Sequence, residues 1–289
     1  MPNNISLFKK YIDLLDEVYK NSALTTDLDG DAALVRAGAN ANEIIVPIIN
    51  MDGLAEYSRN DGYVKGNVSL TNETVKFNYD RGRKFSVDAM DNEETAGLAF
   101  GKLSAEFIRT KVVPEMDAFR FATYAAKAGI STATGTLSTG NAVLEALIVA
   151  ANKMDEDEVP DTQRILYITP TALRMAQNVD TTKSKEVLDS FTKIVKVPQS
   201  RFYTAIDLLD GKSDDELVGG YRKSATAKDI NFMIVHKPAT LQYPKHTVNK
   251  VISPEANQTD DGYLFFYRAY GLADVYANKL AGIYLHHKA

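Results

Sequence analysis

Apolar positions recur at three- and four-residue spacing from Asp91 to Gly129, and this pattern predicts one long amphipathic helix. Asp91 is placed to cap its start, with Glu94 three residues on, and Lys127 followed by Gly129 closes it. About 34 residues at a rise of roughly 1.5 Å each give a rod of about 50 Å. At 100° per residue, Phe100, Leu103, Phe107, Ile108, Val112, Ala118, Phe119, Phe121, Ala122 and Ala125 share a broad arc. Lys102, Glu106, Arg109, Asp117, Arg120 and Tyr124 fall on the opposite side, and Lys111 breaks the pattern. Each large apolar side chain contributes about 1.5–3 kcal/mol when fully buried, so such a helix needs an extended surface to lie on. Pro114 interrupts it, leaving one bent helix or two helices meeting at the proline.

The remaining pattern divides around this element. Ile5, Phe8, Ile12, Leu15 and Tyr19 form a short amphipathic helix over 5–20. Residues 21–43 after it are polar and offer little apolar material to anchor it, so it is expected to dock elsewhere, on the body or on another subunit. From Ile44 to Val87 the chain reads as a long β-hairpin, with an outgoing edge strand carrying Pro47, a turn at 58–62, and an alternating return strand with a bulge near 71–74. An isolated two-stranded hairpin is marginal, which favours an arm held by another molecule. A Ser/Thr/Gly connector follows at 131–140, then a helix over 141–154, a strand at 164–168, a helix from Pro170 to Gln177, a further helix over 183–192 and a buried strand at 231–235. The tail reads as a strand from Tyr263 to Tyr276 and a final strand from Leu280 to His286, joined by a turn at Asn278-Lys279.

Composition narrows the chemistry more than the fold. The 289 residues suit one large domain or two smaller ones, and contain no cysteine, which excludes disulfides, thiol catalysis and cysteine metal sites. No apolar run is long enough to cross a membrane, and the N-terminus lacks a signal-peptide pattern. Net charge is −5 without a lysine or arginine block, which argues against tight, direct nucleic-acid binding. The four histidines are scattered, and His286 and His287, as strand neighbours, point to opposite faces. Asp27-Leu28-Asp29-Gly30-Asp31 mimics a calcium loop, but the glycine is misplaced and the closing glutamate is missing. The acidic runs at 155–158 and 214–216 read as solvated loops, and the Gly97/Gly101 spacing as close helix packing. No nucleophile elbow, phosphate-binding glycine loop or zinc-helix motif occurs. No catalytic, cofactor or metal residue is nominated.

Two stretches carry a family resemblance. Asp80-Arg81-Gly82-Arg83-Lys84-Phe85-Ser86-Val87-Asp88-Ala89-Met90-Asp91, taken with Arg109-Thr110-Lys111-Val112-Val113-Pro114-Glu115-Met116-Asp117-Ala118, resembles the junction of extended loop and spine helix in major capsid proteins of tailed bacteriophages of Gram-positive hosts. Ala273-Asp274-Val275-Tyr276-Ala277-Asn278-Lys279-Leu280-Ala281-Gly282-Ile283-Tyr284 is a second match. The order of elements also resembles the Hong Kong 97 capsid fold. The resemblance implies an α+β chain with an N-terminal arm (1–43), an extended β loop (44–88), a peripheral domain with the spine helix (89–130 and 262–289) and an axial domain (131–261). It further implies a shell subunit, not an enzyme, assembling with itself into hexamers and pentamers of an icosahedral head. That head would enclose double-stranded DNA without sequence-specific binding, and net negative charge suits such a wall. Separate scaffolding, portal and decoration proteins are the other partners it allows; no cofactor and no membrane are implied. The expected location is the virion, assembled in host cytoplasm. Lacking the long fused scaffolding segment of some members, the chain is expected to use a separate scaffold or none. Lys65 is a loop lysine, but no crosslinking partner stands out. An encapsulin-like compartment enclosing cargo enzyme shares the fold, and a carboxylate-based enzyme is the more distant alternative.

Five residues are nominated for inter-subunit contacts: Phe8 and Ile12 on the N-terminal helix, and Arg81, Arg83 and Lys84 at the base of the β arm. The three cations form the densest basic cluster in an acidic chain. They are expected to meet carboxylates of an adjacent subunit, with Glu106 and Asp117 on the polar stripe as possible targets, so that their removal would spare the isolated fold.

Overall fold

The computed structural model describes residues 23–30, 36–37, 43–60, 62–94, 103–179 and 181–289. Phe8, Ile12 and the predicted helix over 5–20 lie outside them, as does the Gly97/Gly101 pair.

The β arm is a hairpin of β2 (Glu43–Met51) and β3 (Val68–Lys76), with the two-residue β1 (Arg36–Ala37) beside its base. Pairing runs unbroken from Glu43↔Lys76 to Met51↔Val68, so no bulge interrupts 71–74. Pro47 pairs with Asn72, beyond the Ile44 and Ile45 positions that β1 covers, where a missing donor costs no ladder bond. The return strand changes sheets at Phe77-Asn78. The Asn78 side chain replaces a ladder step there: its Nδ2 donates to the Ala273 carbonyl (2.8 Å) and its Oδ1 accepts from the Ala273 N–H (3.1 Å). Only the arm's root is buried, where Ile44 and Val75 pack on Leu241 and Leu272.

β4 (Tyr79–Asp88) joins β11 (Thr240–Ile252) and β12 (Gly262–Val275) in a three-stranded antiparallel sheet of order β11-β12-β4. At Gly82 a Cβ would stand 2.8 Å from the Tyr267 carbonyl oxygen, so this position requires glycine. Asp88 Oδ1 accepts from the Met90 N–H (2.9 Å), making Asp88, not Asp91, the cap of α1 (Ala89–Glu94).

The spine then runs through α2 (Leu103–Phe107), a π-helical turn (Ile108–Val112) and α3 (Val113–Ala125) without a loop. Pro114 therefore interrupts the hydrogen-bond pattern but not the rod: the Val113 N–H reaches back five residues to the Ile108 carbonyl. Leu103, Phe107, Ile108, Val112, Met116 and Phe119 pack on Tyr79, Phe85, Phe265, Tyr267 and Ala269 of the three-stranded sheet. Phe107 centres this contact, with ring centroids 4.7 Å from Phe85 and 6.0 Å from Tyr267. Gly129, at φ +93°, turns the chain out of the helix.

The body is a five-stranded sheet, ordered β5 (Ser131–Thr134), β13 (Ile283–His287), β10 (Ile230–His236), β6 (Arg164–Ile168), β7 (Lys193–Lys196). Phe121 and Tyr124 of α3 cover one face, together with Leu28. α4 (Gly140–Glu156), α5 (Pro170–Gln177) and α6 (Thr181–Asp189) cover the other. β6 and most of β10 are buried on both sides, hence their continuous apolar runs. The expected C-terminal strand pair does not form: β12 pairs with β11 and β4, while β13 crosses into the body between β10 and β5. β8 (Ile206–Leu208) and β9 (Tyr221–Lys223) pair as a small antiparallel ribbon.

Candidate functional site

Two features stand out above the scaffold: a charged clasp on the spine and an arm with an apolar tip. The clasp reverses the expected polarity of α3. Asp117, Arg120 and Tyr124, assigned to a solvated stripe, are buried, as is Glu115. The Asp117 carboxylate accepts from the Leu24 N–H (3.1 Å), the Thr25 N–H (3.3 Å), the Thr25 hydroxyl (2.8 Å) and Arg201 Nη1 (2.9 Å). Arg120 Nη1 donates to the same Thr25 oxygen (2.8 Å). Gln242 closes the circuit: its Nε2 donates to the Thr25 carbonyl (2.8 Å) and to Asp29 (2.6 Å), and its Oε1 accepts from the Tyr124 hydroxyl (2.7 Å). Burial pushes the Tyr124 phenol far above its ordinary value, keeping it a neutral donor. Residues 24–30, expected to contribute little, thus form a strap fixed to the body by charge-assisted bonds and by the buried Leu28. Their polar composition, which hid this role, is what a buried ionic partner requires. The calcium-like aspartates are engaged here as well, Asp27 with Lys193 (2.5 Å) and Asp29 with Arg120 and Gln242.

The basic cluster stands in β4, not in a loose turn. Arg81 finds its carboxylate within its own chain: Nε donates to Glu115 Oε1 at 2.7 Å, and Nη2 donates to the Gly220 carbonyl (3.2 Å). The Tyr79 hydroxyl donates to the same Glu115 oxygen (3.3 Å), and burial raises that phenol well above its usual range. Glu106, one of the targets considered, pairs with Arg109 on its own helix, and Asp117 is taken by Arg201. Arg83 is exposed and donates to the Leu217 carbonyl (3.0 Å). Lys84 is exposed, its ammonium 5.6 Å from the Phe266 ring centre. Arg81 and Arg83 therefore join the arm's base to the 209–220 loop, a tie that residues over 125 positions apart in sequence could not advertise.

Beyond its root the arm is open. Ile49, Met51, Leu54, Tyr57, Tyr63, Val64, Val68 and Leu70 are all more than half exposed, and Leu54 is fully so. The tip is nonetheless ordered by its own bonds: Asp52 N–H to the Asn67 carbonyl, Asn67 N–H to Asp52, and a Ser58–Gly62 bridge, with Tyr57 and Tyr63 rings 4.8 Å apart. Lys65 is exposed in this segment. So large an apolar surface on a preformed element has the character of an interface.

Among the described residues no group of histidine and carboxylate side chains is arranged to hold a metal ion, and no helix is long and apolar enough to cross a membrane. His286 is buried, its Nδ1 3.0 Å from Asn231 Nδ2 and its ring stacked on Phe232.

Comparison with solved structures places this architecture. A subunit of the bacteriophage PhiM1 mature capsid superposes with a TM-score of 0.68 at 9% identity, over 98% of this chain and 92% of its own. The capsid structure of cyanophage P-SCSP1u gives 0.62 at 13% identity, over 98% and 93%. The fold is that of tailed-phage major capsid proteins. A virus-like particle from Pyrococcus furiosus is also similar, with a TM-score of 0.54 at 11% identity, over 85% of this chain and 86% of that one. No family model and no curated protein matches the sequence.

Proposed function

We propose that this chain is the major capsid protein of a tailed bacteriophage, a structural subunit that assembles with itself into hexamers and pentamers of an icosahedral shell around double-stranded DNA. The observation that carries the reading is the capsid fold over 98% of the chain combined with an arm whose apolar tip its own body leaves uncovered. A shell subunit works by summing contacts: each arm that covers a neighbour buries surface worth about 25 cal/mol per Å², and closure multiplies the gain. The peripheral and axial parts are assigned as the resemblance implies, 89–130 with 262–289 and 131–261, with 1–43 as an N-terminal arm. The shell is the site of action, in the virion; assembly takes place in host cytoplasm, with separate scaffolding, portal and decoration proteins as further partners.

Expression of the full chain, sedimentation and negative-stain microscopy test this. Capsomers, tubes or closed shells are expected; a monodisperse monomer at high concentration overturns it. A second reading, an encapsulin-like compartment, is favoured by the similarity to the Pyrococcus furiosus particle. Particles isolated from the native source separate the two: DNA inside supports the phage head, and an enclosed enzyme supports the compartment.

A further inference from the structure

We propose that the outward face of the three-stranded sheet β11-β12-β4 is a contact surface for a second copy of this chain, and that it receives that copy's acidic loop, residues 210–218. The inference rests on the reading of the chain as a self-assembling subunit and names one contact of that assembly.

Strand alternation creates the face. Phe265, Tyr267 and Phe85 point to the spine helix, so Lys84 of β4, Phe266 and Arg268 of β12, and Val248 and Lys250 of β11 point away from it. They line a shallow depression of about 650 Å³. Register places Lys250, Phe266 and Lys84 side by side across three strands, so a lysine stands on the strand to either side of one partly buried aromatic ring. Arg268 is neutralised within the face by Asp80, at 2.9 and 2.7 Å. Lys84 and Lys250 have no carboxylate partner among the described residues. Two uncompensated cations around an apolar centre fit a ligand of two carboxylates and a small apolar side chain.

The chain itself supplies such a ligand. Asp210 orders the loop at its start, accepting from the Lys212 N–H (2.7 Å), the Ser213 N–H (2.9 Å) and the Ser213 hydroxyl (2.6 Å). Glu216 fixes its other end, accepting from the Asp210 N–H (2.9 Å). Between them Asp214 and Asp215 are exposed and have no cation partner among the described residues, and Val218 beyond them is 83% exposed. The other acidic run is partly spent at home, Asp155 on Arg164 and Asp157 on Lys153. Within one chain the loop reaches only the edge of the sheet, through Leu217 and Arg83, and its two carboxylates make no bond to Lys84 or Lys250. Complementary patches left open on the same molecule are the ingredients of a contact between copies.

A charge exchange tests this in the full chain. Lys84→Glu with Lys250→Glu, and separately Asp214→Lys with Asp215→Lys, are each expected to cut particle yield at least about tenfold while the thermal midpoint holds. All four substitutions together are expected to restore yield to near wild type. Single-side variants that assemble normally, or a fourfold variant that does not recover, overturn the proposal. If the wild-type chain forms no particles, the shell reading fails separately. Sedimentation velocity then reads the contact directly: self-association lost in either pair and regained in the fourfold variant supports it, and its absence overturns it. Reduced binding of a DNA oligonucleotide by the Lys84/Lys250 variant, with self-association unchanged, would make the face a nucleic-acid surface and also overturn it.

Discussion

Asp117 and Arg201 meet at 2.9 Å with side chains 1% and 3% exposed, an ion pair sealed between the spine helix and the body. The pair is the centre of the clasp that holds residues 24–30, and its energetics follow from burial. Asp117→Ala leaves the Arg201 guanidinium buried without its carboxylate and two backbone N–H groups without an acceptor. A loss of about 3–5 kcal/mol is expected, read as a lowered denaturation midpoint. Asp117→Leu with Arg201→Met should lose less than the single change, since no buried charge is stranded.

Truncation should expose what the strap at residues 24–30 contributes to the subunit. Removing 1–40 strips Thr25 and Leu28 from the body and exposes Asp117 and Arg120. Its midpoint should fall by several degrees, which circular dichroism would measure.

Arg81 and Arg83 should behave differently from each other. Arg81 is a quarter exposed and pairs with Glu115, itself buried, so Arg81→Ala is expected to cost about 1–3 kcal/mol of subunit stability. From these contacts, Arg83→Ala is predicted to spare the isolated fold and Arg81→Ala to weaken it. Urea denaturation of the two variants checks the difference.

The arm's tip should matter to assembly and not to folding. Leu54→Asp with Val64→Asp replaces exposed side chains, and folding stability should change by no more than about 0.5 kcal/mol per site. Particle yield should drop sharply, because each carboxylate would have to be desolvated in the contact. Normal yield would show that the tip stays in solvent.

Acid should weaken the body through two histidines. Burial, and then the neighbouring His287, lowers the His286 imidazole below its ordinary 6.5; burial, then Arg164 and Lys279, lowers that of His236. Each group binds its proton more weakly folded than unfolded, so its contribution is complete above about pH 6.5 and declines as pH falls below it. A His286→Gln variant keeps an acceptor for Asn231 without titrating, and its midpoint should fall less between pH 7 and 5.

Local order could be read directly from the chain. α5 runs from Pro170 to Gln177 as the proline start and apolar spacing predict, and β10 covers the continuous apolar run at 231–235. Over 103–125 the spine was legible through its periodicity, and Pro114 fits one rod there, because a π-helical turn absorbs the proline locally. These signals involve neighbours within a few residues, which a sequence displays side by side. β11 gave no such signal: its outer half, Lys245 to Lys250, is polar on an exposed edge strand, and its ladder exists only because β12 lies alongside.

The polar face of α3 shows why the remainder needed the tertiary structure. Helical spacing correctly grouped Asp117, Arg120 and Tyr124, but a helical wheel assigns polar residues to water by default. Their partners stand 84 to 118 positions away, at Thr25, Arg201 and Gln242, and they decide whether a charge is solvated or buried. Arg81 follows the same logic, since the nearest carboxylate in space, Glu115, is 34 residues distant and reached only after β4 packs on the spine. Periodicity fixes which residues share a face; packing alone fixes what that face meets, because a charge in a low-dielectric interior takes its energy from whichever opposite charge the fold brings within about 3 Å.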